Sequence, residues 1–197
     1  SPKRFNSFDE IKSSEWLKEL QNTLNNGTFP AVCKRCEQEE EMYGDSIRTR
    51  SIIEHNKQTI TDYITADVVL DNICNSACQF CSPIYSTKLG SLVSKTFPII
   101  DNSSKLSSLP IDKITHLDIS GGEPGYSKKQ KELLLNLPPN VTSVRVNTNC
   151  SVFIPELLMV ADKGISVHIT MSLDGVEKVQ EYIRWPIEWE QYCNIVN

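Results

Sequence analysis

The second two-thirds of the chain alternates between strand-like and helix-like segments, and this alternation most limits what it can fold into. Runs rich in valine, isoleucine and threonine are separated by stretches with helical periodicity. Strands linked by helices lie parallel with right-handed crossovers, so we predict an α/β fold with a parallel sheet. The runs are ADVVLDNI at 66–73, HLDIS at 116–120, VTSVRVN at 141–147 and ISVHITMSL at 165–173.

The connections between these strands differ in length. The last two strand-to-strand steps are about 25 residues, enough for one strand, one helix and two loops. We predict their helices at 127–137 and 154–164. The first connection is longer, and its segment 103–110 is expected on the surface. Four strands do not decide whether the sheet closes, half-closes or stays open.

The front third has a helical pattern and no strand pattern. A helix is predicted at 14–26, where apolar residues recur on one face, and a second helix at 46–55. The glutamate run 37–41 is typical of a solvated helix face. We therefore divide the chain into a helical segment, 1–62, and an α/β domain, 63–197.

Composition excludes several classes of protein. With 39% hydrophobic and 23% charged residues, the chain can bury a core. No apolar run approaches the roughly 20 residues of a membrane span, and no signal peptide opens the chain, so a cytoplasmic protein without a membrane partner is expected. The net charge is −5, and no stripe of basic residues is evident, so nucleic acid is not an expected partner.

Polar or metal-binding motifs follow each predicted strand. Because the carboxyl ends of parallel strands lie on one edge of a sheet, where sites are built, we expect these motifs to converge. Any one of them alone is also typical of an ordinary turn. They are CNSACQFC at 74–81, SGGEP at 120–124, NTNC at 147–150 and SLDG at 172–175.

The seven cysteines are odd in number and clustered, which favours metal over a disulfide framework. Cys74, Cys78 and Cys81 are one short of a closed zinc site, which would need Cys33, Cys36 or a histidine as well. Three thiolates on an iron–sulfur cube instead leave one iron open. Cys150 and Cys193 stand alone and are predicted to be small buried residues.

The C-x3-C-x2-C spacing, with Phe80 before the last cysteine and GGEP after the next strand, resembles the radical S-adenosylmethionine (SAM) superfamily. The resemblance runs from about residue 66 to the end. It implies a (β/α)6 partial barrel, of which about four units are present, so we expect a fragment or a minimal member.

The resemblance implies a role for each matching residue. Cys74, Cys78 and Cys81 would ligate a [4Fe–4S] cluster whose open iron binds SAM. The remaining positions would contact SAM. The two glycines would let the backbone approach closely, and the glutamate would bind the amino group of SAM. The asparagines and the serine would contact its ribose and its methionine carboxylate. Arg184 would reach a carboxylate or lie on a helix surface, and Asp174 would shape its turn. The SAM contacts are Phe80, Gly121, Gly122, Glu123, Asn147, Asn149, Ser172 and Arg184.

The implied chemistry belongs to the cofactor rather than to acid–base residues. An electron donor would reduce the cluster, SAM would break into methionine and a 5′-deoxyadenosyl radical, and the radical would take hydrogen from a substrate. His55, His116 and His168 are isolated, and His168 is expected to be packed within its strand.

The front third resembles the twitch or SPASM extensions of the same superfamily. A helix, a glycine, a proline and the pair Cys33–Cys36 precede a Gly-x-Ser-x-Arg stretch, here Gly44, Ser46 and Arg48. In those extensions cysteines hold an auxiliary iron–sulfur cluster, so Cys33 and Cys36 would be two of its ligands. A bare C-x2-C that binds zinc or nothing is the alternative. Such members often modify peptides or proteins, so a peptide or protein substrate is expected.

Two functions from other classes compete with this one. A non-catalytic zinc or iron–sulfur module would use the same cysteines structurally. A nucleotide-binding protein would cradle phosphate in SGGEP, but phosphate loops usually carry a lysine after their glycines, whereas Glu123 and Pro124 follow here.

Overall fold

The computed structural model describes residues 5–56 and 64–197. The chain divides into two compact units, Ser1–Asp62 and Tyr63–Asn197. Each is described by itself below. Among the described residues, no helix is both long and apolar enough to cross a membrane.

The first unit is helical, and polar caps fix where its helices begin and end. Ser14 Oγ accepts a hydrogen bond from the Leu17 N–H at the start of the second helix. Gly44 ends the third helix in a left-handed conformation, φ 69°, which a glycine adopts without strain. A short 3-10 turn, Ala31–Cys33, precedes that helix. The helices are α1 Phe8–Ser13, α2 Glu15–Asn25, α3 Lys34–Tyr43 and α4 Ile47–Asn56.

The second unit contains a four-stranded parallel sheet whose strands follow one another in chain order. The predicted α/β fold with a parallel sheet is therefore confirmed at this level. The strands are β1 Ile64–Val69, β2 Ile114–Ser120, β3 Ser143–Thr148 and β4 Ser166–Met171.

Helices connect the strands as predicted, with additions that the sequence pattern did not reveal. The long first connection holds one helix and several 3-10 turns, including Ser103–Ser108 in the predicted surface segment. Two helices follow the last strand. The helices are α5 Thr87–Val93, α6 Lys128–Leu135, α7 Pro155–Asp162, α8 Glu177–Ile183 and α9 Trp189–Val196.

The core lies between one face of the sheet and helices α6 and α7. Alternate residues along each inner strand point toward it, including the fully buried Leu117, Ile119, Val144 and Val146. Leu134 of α6 and Val160 of α7 pack against them. Burying this apolar surface holds the helices to the sheet. The intervening strand residues face the other way.

The first strand begins and ends earlier than predicted. It stops at Val69, whereas the sequence pattern extends it to residue 73. The reason is Asp71, whose Oδ1 accepts a hydrogen bond from the Ile73 N–H at 3.0 Å and turns the backbone. The apolar Leu70 and Ile73 around it therefore belong to a loop.

Candidate functional site

The candidate site is built where the strands end. The cysteine loop, residues 70–82, follows β1 and carries Cys74, Cys78 and Cys81. SGGEP follows β2, NTNC spans the end of β3, and SLDG follows β4. We call this edge of the sheet the rim. Direct hydrogen bonds join the loops along it.

Gly121 and Gly122 allow the backbone of SGGEP to lie directly against the cysteine loop. The Gly122 N–H donates to the Asp71 carbonyl at 3.2 Å, and the Glu123 N–H donates to the Ile73 carbonyl at 2.7 Å. A Cβ on Gly122 would lie 2.1 Å from the Ile73 carbonyl oxygen. A Cβ on Gly121, whose φ is 103°, would lie 2.8 Å from Val69 Cγ1. The close approach that the glycines permit is thus to the protein's own loop.

Glu123 is buried, with 2% exposure, and its carboxylate joins the second strand end to the third. Thr148 Oγ1 donates to Oε1 at 2.7 Å, and the Asn149 N–H donates to Oε2 at 2.7 Å. The Gly125 N–H adds a longer bond of 3.3 Å to Oε1. Burial raises the pKa of Glu123 above its ordinary value, although these hydrogen bonds oppose the shift. Glu123, predicted as a SAM contact, therefore also holds the loop after β2 to the end of β3.

Asn149 joins the third strand end to the cysteine loop. Its Nδ2 donates to Asn75 Oδ1 at 2.9 Å and to Ser76 Oγ at 2.7 Å. Its Oδ1 accepts from the Ser151 N–H and hydroxyl. This amide, predicted as a SAM contact, is buried and satisfied within the protein.

The remaining predicted contacts lie in different settings. Asn147 is exposed on β3, on the face of the sheet away from the helices. Ser172 is half-buried, and its backbone is fixed by a bond from its N–H to the Thr148 carbonyl and one from Gln180 Nε2 to its own carbonyl. Phe80 is 65% exposed, so its ring is open to a ligand.

The three thiols of the cysteine loop lie in one electrostatic neighbourhood. Cys78 is buried, and Cys74 and Cys81 are half-buried. Burial is the main cause that raises the pKa of all three thiols. Repulsion between thiolates raises it further: Cys78 raises the pKa of Cys74, Cys81 that of Cys78, and Cys74 that of Cys81. Soft thiolates are the donors that iron–sulfur clusters take. The type of donor therefore suits such a cluster, although the three thiols are not arranged in this structure as a ready-made metal site.

Arg184 supplies a positive charge beside this loop. Its Nη1 lies 3.8 Å from Cys78 Sγ, and its guanidinium stands 5.0 Å from the Phe80 ring centroid. Its Nε donates to Asp174 Oδ2 at 2.5 Å. Arg184 opposes the burial-driven rise in the pKa of Cys78. It is a half-buried cation facing the site, not a surface arginine, and the carboxylate it reaches is Asp174.

The segment around Arg184 also holds the cysteine loop through its backbone. The Ala77 N–H donates to the Trp185 carbonyl at 2.7 Å, and the Gln79 N–H donates to the Ile183 carbonyl at 3.0 Å. The cysteine loop is thus tied to all three later strand ends or the helices that follow them.

Sequence reasoning missed the partners that make these ties. Asn75 and Ser76 lie between the first two cysteines, and Thr148 and Ser151 flank Asn149. Asp71 additionally accepts a hydrogen bond from Ser127 at 2.5 Å. The only available signal was their density of small polar residues at strand ends, which is also ordinary turn chemistry.

Two expectations about isolated residues need correction. His168 is exposed rather than packed, because its side chain lies on the polar face of an edge strand, next to Ser166. Cys193 is half-buried, whereas Cys150 is buried as expected. His116 is half-buried on β2. The side chain of His55 lies outside the described residues.

In the first unit, the Gly-x-Ser-x-Arg stretch has a structural explanation. Ser46 Oγ accepts from the Arg48 N–H near the start of α4 and donates to Glu40 Oε1 at 2.6 Å. Arg48 pairs with Glu40 and stands 4.8 Å from the Phe29 ring centroid. The pKa of Arg48 is raised mainly by its hydrogen bond to Glu40, with smaller contributions from Cys36 and Cys33. The arginine therefore lies near both cysteines.

No three His, Cys, Asp or Glu side chains within residues 5–56 and 64–197 are arranged to hold a metal ion. Comparisons of the chain with protein-family models, with curated proteins and with solved structures give no match. The superfamily resemblance therefore rests on the motifs and their placement.

Replacing Gly122 by alanine should displace the cysteine loop, because the new Cβ would collide with the Ile73 backbone. We expect the free energy of unfolding in urea to fall by about 1 to 3 kcal/mol. In the metal-free protein, Cys74 should also react faster with iodoacetamide, as followed by mass spectrometry.

Gly164→Ala is the matched control for this variant. Its φ of 78° strains an alanine, but its Cβ would meet nothing within 4 Å. It should lose some stability without changing the Cys74 rate. Equal Cys74 rates in the two variants would contradict the close contact at Gly122.

Replacing Arg184 by glutamine should slow alkylation of Cys78 severalfold in the metal-free protein. Loss of the guanidinium removes the charge that stabilises the thiolate, so the pKa of Cys78 rises further and less thiolate is present. Cys74 serves as the internal control, because Arg184 is not among the main causes of its pKa shift. Arg184→Lys should retain most of the Cys78 rate, and an equal slowing of both cysteines would argue against a local charge effect.

Proposed function

We propose that the chain is a radical SAM enzyme whose second unit holds a [4Fe–4S] cluster on Cys74, Cys78 and Cys81. The observation that carries the proposal is the network at the rim. Glu123 and Asn149 come from two later strand ends, and both bind the cysteine loop or its neighbours directly. Three motifs that are distant in sequence are therefore hydrogen-bonded to one another, which supports one shared site.

The parallel sheet supports the same proposal at the level of the fold. Its strands follow chain order, and α6 and α7 pack against one face. Such a sheet is compatible with an open section of a (β/α) barrel, a fold in which sites form at the carboxyl ends of the strands. We propose that the second unit is such a partial barrel.

The residues around the cysteine loop suit a sulfonium cofactor with an adenine, an ammonium and a carboxylate. The exposed Phe80 ring offers a stacking surface. Glu123 accepts three hydrogen bonds, and because a carboxylate has about four acceptor sites, it can take one more from an ammonium. Asn147 and Ser172 offer further polar groups, and Gly121 and Gly122 set the loop that carries Glu123.

Cys74, Cys78 and Cys81 would hold the cluster, which when bound would supply the electron for the reductive cleavage of SAM and so the radical chemistry on the substrate. The protein's part is to hold the three thiols, to place positive charge beside Cys78 through Arg184, and to keep the loops fixed. An electron donor and a peptide or protein substrate are the proposed partners.

The proposal predicts that the full chain, reconstituted anaerobically with iron and sulfide, binds about four irons at this site. After reduction with SAM present it should form 5′-deoxyadenosine, measured by chromatography. Cys81→Ala should abolish the product, because the cluster loses a ligand.

Cys193→Ala is the matched control, since this cysteine is half-buried and lies outside the loop. It should retain both iron and product. If Cys81→Ala still cleaves SAM, or if zinc saturates the site and no product forms, the enzyme proposal fails and the structural-module alternative replaces it.

We further propose that Cys33 and Cys36 bind an auxiliary iron–sulfur cluster. Cys33 occupies the N-cap position of α3 and Cys36 lies in its first turn, with the Arg48 charge near both. An iron count near eight would support a second cluster. Cys36→Ala should then lose the additional iron and keep 5′-deoxyadenosine formation from the first site. A count that Cys36→Ala does not change would contradict this assignment.

A further inference from the structure

The face of the sheet opposite the helices, which we call the open face, is polar across all four strands. Its residues alternate with those on the face toward α6 and α7, and each is exposed or half-buried. All but Val69 are polar. The open face comprises Thr65, Asp67, Val69, His116, Asp118, Ser120, Ser143, Arg145, Asn147, Ser166, His168 and Thr170.

This polarity is unusual for a parallel sheet. Parallel strands are usually buried on both faces and read as continuous apolar runs. A second layer of helices would need an apolar surface to pack against, and the open face offers only Val69. The face therefore suits water or a polar ligand rather than a packing partner.

Charged side chains on the open face form a row across the strands. The register places Asp67 beside Asp118, Asp118 beside Arg145, and Arg145 beside His168. The carboxylates thus stand on β1 and β2, and the cationic or hydrogen-bond-donating groups on β3 and β4. Such separation of charge is complementary to a molecule that carries both signs.

The charged side chains of this row still have donor and acceptor groups free to bind a ligand. Arg145 Nη1 lies 3.4 Å from Asp118 Oδ2, longer than the 2.7–2.9 Å of a strong charge-assisted hydrogen bond. Arg145 is 57% exposed and presents further N–H donors. The exposed Asp67 accepts a hydrogen bond from Ser120 and keeps acceptor sites for a ligand.

We propose that the open face binds the substrate, and that the substrate is a short peptide with free termini. This inference rests on the proposed function. Asp67 and Asp118 hold its ammonium group, and Arg145 with His168 holds its carboxylate. The centres of the two pairs are two strand spacings apart, about 10 Å, which matches the length of an extended tripeptide.

The position of the row suits a substrate of the rim site. Asp67 and Asp118 lie two residues before Val69 and Ser120, which end their strands. At about 3.3 Å per residue, the row stands about 7 Å below the rim. A side chain of a bound peptide can span that distance toward the cysteine loop.

The test measures peptide binding to the reconstituted full chain by isothermal titration calorimetry. The probes are triglycine, N-acetyl-triglycine and triglycine amide. We expect triglycine to bind and each blocked form to bind about tenfold more weakly, because each loses one charge-assisted contact.

Two variants assign the contacts. Asp67→Asn should remove the preference for the free ammonium and keep that for the carboxylate, and Arg145→Gln should do the reverse. Lys128→Gln, on the exposed surface of α6, is the control for altered net charge and should keep both preferences. Circular dichroism and iron content verify that each variant is folded.

The outcomes separate this inference from the proposed function. If the cluster forms and SAM is cleaved, but triglycine does not bind or both blocked peptides bind as well as the free one, the inference alone is overturned. If no cluster forms and the preferences still follow Asp67 and Arg145, the proposed function fails, whereas the peptide-binding role of the open face stands.

Discussion

The buried carboxylate of Glu123 is the interaction on which the arrangement of the rim depends. It stands on the loop after β2 and accepts hydrogen bonds from the last residue of β3 and the first residue after it, while its own backbone N–H binds the cysteine loop after β1. Burying a carboxylate is costly unless it is hydrogen-bonded, so Glu123 stabilises the site only when all three loops are in place. The loops are therefore coupled, and disorder in one is expected to loosen the others.

Close backbone contact reinforces this coupling. The cysteine loop crosses Gly122 at a distance that no side chain could tolerate, and Ala77 and Gln79 bind the segment after α8 through backbone hydrogen bonds. Backbone contacts leave little freedom in where the three thiols stand. A cofactor held by three ligands gains from such preorganisation, because the ordering of the loop occurs during folding rather than during binding.

The sequence predicted the elements of the site better than their contacts. Hydrophobic alternation predicted four parallel strands, and parallel strands necessarily bring the motifs after them to one edge. Sequence spacing does not say which polar atoms will pair, so it did not reveal that Glu123 and Asn149 hydrogen-bond to neighbouring loops of the protein. The end of β1 was missed because a single hydrogen bond from the Ile73 N–H to the Asp71 carboxylate outweighs the apolar residues on either side. His168 was expected to be packed because periodicity alone does not say which strand lies at an edge.

The two faces of the sheet have different roles: one stabilises the fold, and the other is the proposed binding surface. The face toward α6 and α7 is apolar and supplies the core, whereas the open face contributes little hydrophobic stabilisation. Polar residues at so many sheet positions lower the β-propensity of the strands and reduce side-chain packing, and they do not strengthen the hydrophobic core. Violations of the usual pattern are expected where function requires them, and here the violation lies directly below the coupled loops of the rim. The fold thus keeps its apolar side for holding the strands in register, and the register in turn aligns the charges of the open face into one row.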